Sequence, residues 1–106
     1  MASHESERRR VVHGRLCYDE KLMYYTYVLR SLRDRKLYIG FTHDLRQRFI
    51  EHQEGKVEST KPRRPFELLF YEAFQYKKDA LGRERYFKTT KGKVTLRQVL
   101  RDSLLQ

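Results

Sequence analysis

A chain of 106 residues, 39% apolar and 36% charged with a mean hydropathy of -0.88, has material for one core and not for two. No apolar run is long enough to cross a bilayer and no charged-then-apolar signal segment opens the sequence, so a soluble, cytoplasmic chain without membrane partners is expected. The formal charge is +10, and the stretch from Met23 onward keeps +9 of it with 19 basic and 10 acidic residues. A small domain this basic draws polyanions by releasing their counterions, which makes nucleic acid the leading partner class. The single Cys17 excludes an internal disulfide and any zinc site built on paired cysteines. Eight Tyr and six Phe let a thin core bury a large area.

Residues 1–21 are polar, mixed in charge and include Arg8-Arg9-Arg10; they are expected to form a flexible leader ahead of one domain over residues 22–106. From Leu22 to Leu29, Met23, Tyr25, Tyr27 and Leu29 alternate onto one face, the period of a strand. Ser31 to Lys36 reads as a polar turn centred on Asp34, and Leu37 to Phe41 as a second strand closing an antiparallel hairpin. Thr42 or Asp44 can cap a helix that runs to about Gln53, with Gly55 at its exit. A loop from Gly55 to Pro65 follows, and the near-continuous apolar run Glu67 to Phe74 predicts a third, well-buried strand. Lys78 to Lys88 predicts a second helix. Gly92 is expected to interrupt, and Thr95 to cap a last helix whose stripe is Leu96, Val99, Leu100 and Leu104. The order β-β-α-β-α-α predicts an α+β fold, a small three-stranded antiparallel sheet flanked by three helices. Nothing in the chain suggests a coiled coil or a large apolar face, so a monomer is expected.

Polar residues fall where periodicity places core. In the first helix Leu45, Arg48, Phe49 and His52 share one stripe, which puts a guanidinium and an imidazole among apolar neighbours. Arg48 either snorkels at the edge of the stripe or meets an anion; His52 by itself reads first as a hydrogen-bonded structural histidine. In the second helix Glu84 shares a face with Ala80 and Phe87. A carboxylate there either closes the core by pairing with Arg48 or Lys88, or holds a cation such as Mg²⁺, which commonly takes one or two protein carboxylates. A turn at Asp34 brings Tyr27 opposite Tyr38 or one diagonal step away, on the same face. Aromatic cross-strand pairs also simply stabilise small sheets. Gly40, two residues after Tyr38, would admit close approach by a backbone or a ligand.

In this order the residues resemble the GIY-YIG nuclease family, and most closely its small stand-alone members, which are similar to the nuclease domain of the bacterial excision-repair C subunit. Tyr25-Thr26-Tyr27 stands at the first tripeptide and Tyr38-Ile39-Gly40 at the second. Gly40 to Arg48 matches the stretch leading to the family's arginine, His52 its frequent histidine, and Ala80 to Lys88 the helix that bears its metal-binding glutamate. Ser59-Thr60-Lys61, Arg64-Pro65 and Tyr71-Glu72 also match stand-alone members, so the resemblance spans Met23 to Leu104. Tyr25-Thr26 replaces the usual Gly-Ile, and the key Tyr27 is kept.

The resemblance implies a divalent-metal-dependent endonuclease acting on DNA, or on RNA, with Mg²⁺ or Mn²⁺ as cofactor. Its catalytic residues would be Tyr27, Tyr38, Arg48, His52 and Glu84, with Glu84 the metal ligand. Tyr27 must be acidified by Arg48, Lys88 or the metal to deprotonate water near neutrality, and His52 or His43 could share that proton. Lys56, Lys61, Arg63, Arg64, Lys77, Lys78 and Lys88 are candidates for phosphate-backbone contacts, which carry affinity without sequence reading. A free-standing domain is expected to recognise structure, as in repair or recombination. The rival class is a non-catalytic nucleic-acid-binding module on the same scaffold, which would bind with the same salt sensitivity but cut nothing.

Overall fold

The computed structural model describes residues 22–106. The expected leader over residues 1–21, with its arginine triplet and Cys17, lies outside the described residues.

Three antiparallel strands in the order β2-β1-β3 form the sheet, with β1 spanning Tyr24–Ser31, β2 Leu37–Thr42 and β3 Phe66–Phe74. Around it lie α1 (Leu45–Gln53), a 3-10 turn (Lys61–Arg63), α2 (Lys77–Phe87), α3 (Thr90–Val99) and the single turn α4 (Arg101–Leu104). The predicted α+β class and element order are therefore those observed. β1 is central, and all eight of its residues are buried. Strand alternation then gives the sheet two distinct faces. On one, Val28 packs with Phe87, Leu96 and Leu100, flanked by Ile39, Phe70 and Tyr86, so α2 and α3 cover that side. On the other, Tyr27, Leu29 and Phe66 pack with Tyr38, Leu45 and Phe49 beneath α1.

Four local expectations are corrected. β3 is an edge strand and not a well-buried one: only Phe66 of its nine residues is buried, and Leu68 and Tyr71 are exposed. Its apolar run reflects partial cover on both faces; the central place belongs to β1. Gly92 does not interrupt the last helix, which begins at Thr90 with Thr89 as N-cap, its side chain accepting from the Gly92 N–H at 3.0 Å. A Cβ at Gly92 would overlap the Tyr86 carbonyl, so the glycine serves close backbone approach between α2 and α3. Thr95 consequently lies inside α3, where its hydroxyl shares a 2.6 Å hydrogen bond with Tyr86. Leu96 and Leu100 hold the predicted stripe, but Val99 is exposed, because the helix breaks at Leu100 and α4 turns Leu104 back onto the core.

The polar turn after β1 is held by its own side chains. Ser31 Oγ accepts from the Arg33 and Asp34 N–H groups at 3.0 Å and donates to the Arg63 carbonyl at 2.6 Å. Arg63 closes the same turn through an ion pair with Asp34 at 2.9 Å. That guanidinium holds the Asp34 carboxyl down at about 2.

Candidate active site

Asp44 starts α1 by accepting from the Gln47 N–H at 3.1 Å, which settles the choice between the two predicted caps. From this start the helix directs Leu45 and Phe49 into the core and buries His52 completely. Arg48, one turn before His52, is half-buried at the rim and pairs with Glu51 at 3.0 Å.

Beneath the helix, β1 pairs Tyr27 with Gly40 and Leu29 with Tyr38. The two tyrosines are thus diagonal neighbours, one of the two predicted placements, with ring centroids 6.3 Å apart. The close approach that Gly40 permits is made by Tyr27 itself, because a Cβ at position 40 would overlap that ring and its hydroxyl. The imidazole of His52 stands edge-on to Tyr27, Tyr38 and Phe66, at 5.8, 5.1 and 5.8 Å. Its Nε2 lies 2.8 Å from the Tyr27 hydroxyl and its Nδ1 2.8 Å from Thr60 Oγ1.

The electrostatics of the pair depart from expectation in one respect. Burial pushes the Tyr27 phenol up to about 12, although the Arg48 hydrogen bond pulls the other way. Arg48 therefore does not acidify Tyr27 enough to leave a phenolate near neutrality. Burial, and then the Arg48 charge, hold His52 down at about 4, so the ring is neutral at pH 7. Of the two histidines considered for proton sharing, His52 touches Tyr27, whereas His43 is exposed ahead of α1.

Glu84 comes from α2, the helix that packs on the Val28 face of the sheet and not on the Tyr27 face. Its side chain is 20% exposed and pairs with Lys88 at 3.2 Å, the second partner considered from sequence, and its charge acts on Tyr27. No group of three His, Cys, Asp or Glu side chains that could hold a metal occurs among the described residues. Among the expected site residues the carboxylate that could hold a metal is Glu84. That hard oxygen donor, open to water, suits Mg²⁺ or Mn²⁺ with water and phosphate completing the shell.

The expected backbone-binding cations divide into two groups. Lys56, Lys61, Lys77, Lys78 and Lys88 are exposed. Arg63 is committed inward, to Asp34 and to the carbonyls of Lys36 and Leu37 at 3.1 and 3.4 Å. Arg64 donates to the Lys61 carbonyl at 2.9 Å and lies against Gly55, whose φ of 78° favours a residue without a side chain. These two arginines shape the loop. Two residues escape sequence reasoning altogether. Glu51 restrains Arg48, and Gln53 ties α1 to β3 by accepting from the Phe66 N–H at 2.8 Å. Both look like ordinary solvated helix positions until the third dimension is known.

A hydrogen-bonded phenol and imidazole stand together with a guanidinium at their rim, and Glu84 reaches Tyr27 only through its charge. The family model described as the GIY-YIG catalytic domain matches residues 23–97, and the chain belongs to that family. It is 44% identical over 71 residues to a UPF0213 protein of Bacillus pumilus, covering 66% of this chain and 71% of the relative. It is 42% identical over 66 residues to the UPF0213 protein YazA of Bacillus subtilis, covering 61% and 66%. A UPF0213 protein encoded in the ldhD 5′ region of Pediococcus acidilactici is 35% identical over 85 residues, covering 77% and 86%. No solved structure matches the sequence. No helix among the described residues is long and apolar enough to cross a membrane.

Proposed function

We propose that this chain is a divalent-metal-dependent endonuclease that hydrolyses phosphodiester bonds in DNA, directed by structure more than by sequence, as in repair or recombination. The observation that carries the reading is the 2.8 Å contact between the buried Tyr27 hydroxyl and a neutral His52, with Arg48 on the same hydroxyl. Buried ionisable groups linked this way are costly as packing and suited to moving a proton.

Hydrolysis needs a proton taken from water as its oxygen bonds to phosphorus and the leaving oxygen departs with the P–O electron pair. A phenol held at about 12 stores no negative charge at neutral pH. Tyr27 instead takes the water proton on its outward lone pair while its own proton moves toward His52 Nε2. The resulting imidazolium is unfavourable beside Arg48 alone; an arriving phosphate supplies the compensating negative charge. Arg48, free to swing from Glu51, donates to a nonbridging oxygen and stabilises charge built up in the transition state. Tyr38, packed on the other edge of His52, orients the water or the phosphate. Glu84 would hold Mg²⁺ or Mn²⁺ in place of Lys88, and the bound ion would polarise the phosphate and neutralise the leaving oxygen. Exposed Lys56, Lys61, Lys77, Lys78 and Lys88 supply salt-sensitive contacts to the backbone. The reading extends to a monomer working in the cytoplasm.

The test is to incubate the purified chain with labelled branched, nicked and single-stranded DNA, and with RNA, in Mg²⁺ or Mn²⁺ with and without EDTA. Cleavage that EDTA stops, and that Glu84→Gln abolishes while sparing DNA binding, is expected. Salt-sensitive binding without cutting of any strand would leave the non-catalytic module instead.

A further inference from the structure

The loop after α1 buries Thr60 completely. A sequestered hydroxyl must place its proton on an acceptor, and two groups lie within reach. Thr60 Oγ1 is 3.4 Å from the Val57 carbonyl and 2.8 Å from His52 Nδ1. A carbonyl only accepts, and with the hydroxyl proton on Val57 the oxygen presents a lone pair to Nδ1. Nδ1 then carries the single proton of the neutral imidazole, and Nε2 is bare. A bare Nε2 leaves the Tyr27 hydroxyl to donate across the 2.8 Å contact. The links from Tyr27 through His52 and Thr60 to Val57 then run in one direction.

We propose that Thr60 is a positioning residue for the Tyr27–His52 pair. By accepting from Nδ1 it fixes the ring in the Nδ1–H tautomer and so presents Nε2 as the acceptor for the Tyr27 proton. Which ring nitrogen of a histidine is protonated is set by the hydrogen bond that the other makes. The consequence for cleavage rests on the nuclease reading; the tautomer does not.

The experiment compares the full chain with Thr60→Val, which keeps the shape and removes the hydroxyl, and Thr60→Ser, which keeps the hydroxyl. Imidazole ¹⁵N shifts of His52 at pH 7 read the tautomer, and Mg²⁺-dependent cutting of labelled DNA reads the rate. The wild type and Thr60→Ser should show the Nδ1–H ring and cut at similar rates. Thr60→Val should lose that tautomer preference and cut about tenfold to a hundredfold more slowly, the usual cost of a lost outer hydrogen-bond partner, with unchanged DNA affinity. An Nε2–H ring in the wild type overturns the proposal, even if Thr60→Val fails to fold. So does a folded Thr60→Val with the wild-type tautomer and rate. A wild type that cuts no strand yet holds the Nδ1–H ring, lost in Thr60→Val, refutes the nuclease reading and leaves the assignment of Thr60 standing.

Discussion

On one face of β1, Val28 is buried among Phe87, Leu96 and Leu100, with edge-on rings such as Phe70 on Phe87 at 6.2 Å. On the other, Tyr27 is just as deeply buried, yet its hydroxyl is tied to His52, His52 to Thr60, and Arg48 waits at the rim. The first face stabilises by area, since a fully buried large apolar side chain contributes about 1.5–3 kcal/mol. The second gives up some of that gain. A buried hydrogen bond contributes only about 1 kcal/mol net, while leaving one member unpaired costs about 1–3 kcal/mol. A polar arrangement of this kind holds a geometry more than it holds a fold. Packing by area therefore holds one side of the strand, and the phenol, imidazole and guanidinium of the proposed site hold the other, with Glu84 alone coming from the packed side; substitutions should separate the two.

The largest separation is expected from Phe87→Ala and Arg48→Ala taken together. Phe87 has no exposed surface, and its truncation should remove about 3–5 kcal/mol of unfolding free energy while the folded fraction keeps its cleavage rate. Arg48 is half-exposed, so Arg48→Ala should leave the denaturation midpoint nearly unchanged but slow cleavage by about 10²–10³, the cost of one lost transition-state donor. Urea unfolding and single-turnover cleavage on both variants decide the matter. If both changes move stability and rate together, the division of labour between the faces is wrong.

The two close-approach glycines give a finer contrast. A Cβ at Gly92 would meet the Tyr86 backbone carbonyl, which cannot move aside cheaply, so Gly92→Ala should destabilise the α2–α3 junction and spare the rate of folded molecules. A Cβ at Gly40 would meet the Tyr27 ring and hydroxyl, which Tyr38 and His52 already confine. Gly40→Ala should displace the phenol by a fraction of its hydrogen-bond length or more and slow cleavage by about a hundredfold, with a smaller change in stability. Wild-type rate in Gly40→Ala would show that the exact seat of Tyr27 is irrelevant.

The same contrast explains what the sequence could reveal. Element order, the hairpin, a cap at Thr42 or Asp44 and the stripe of α1 are written in local sequence, and they suffice to put Arg48 and His52 on the Tyr27 side of the sheet. The misread parts are those where a local signal has two physical causes. Gly92 breaks helices by propensity but here admits a backbone; the apolar run of β3 suits a central strand but also an edge half-covered on both faces. Thr60 and Glu51 gain meaning only from contacts made at 2.8 and 3.0 Å with α1 residues eight and three positions earlier. The raised phenol was unreadable for a related reason: sequence places the Arg48 charge near Tyr27, but only packing shows that desolvation outweighs it.

The smallest effect is one of acidity, and it belongs to the polar face alone. His52 is surrounded by Tyr27 of β1, Tyr38 of β2, Phe66 of β3, Thr60 of the loop and Arg48 and Glu51 of its own helix. Burial, and then Arg48, hold it at about 4 in the folded chain, against about 6.5 when unfolded. Between those values the unfolded chain binds a proton that the folded chain refuses, so stability rises with pH across the window and is lost as pH falls from 6.5 toward 4. The full shift corresponds to at most about 3 kcal/mol. Carboxylates titrate in the same range, so the quantity to measure is the difference between wild type and His52→Gln in urea unfolding at pH 7.5, 6 and 5. The wild type should lose stability faster on acidification, and the two curves should run parallel above pH 7. Parallel curves throughout would mean that the imidazole is already charged or already wet, and the proton acceptor assigned to Tyr27 would have to be sought elsewhere.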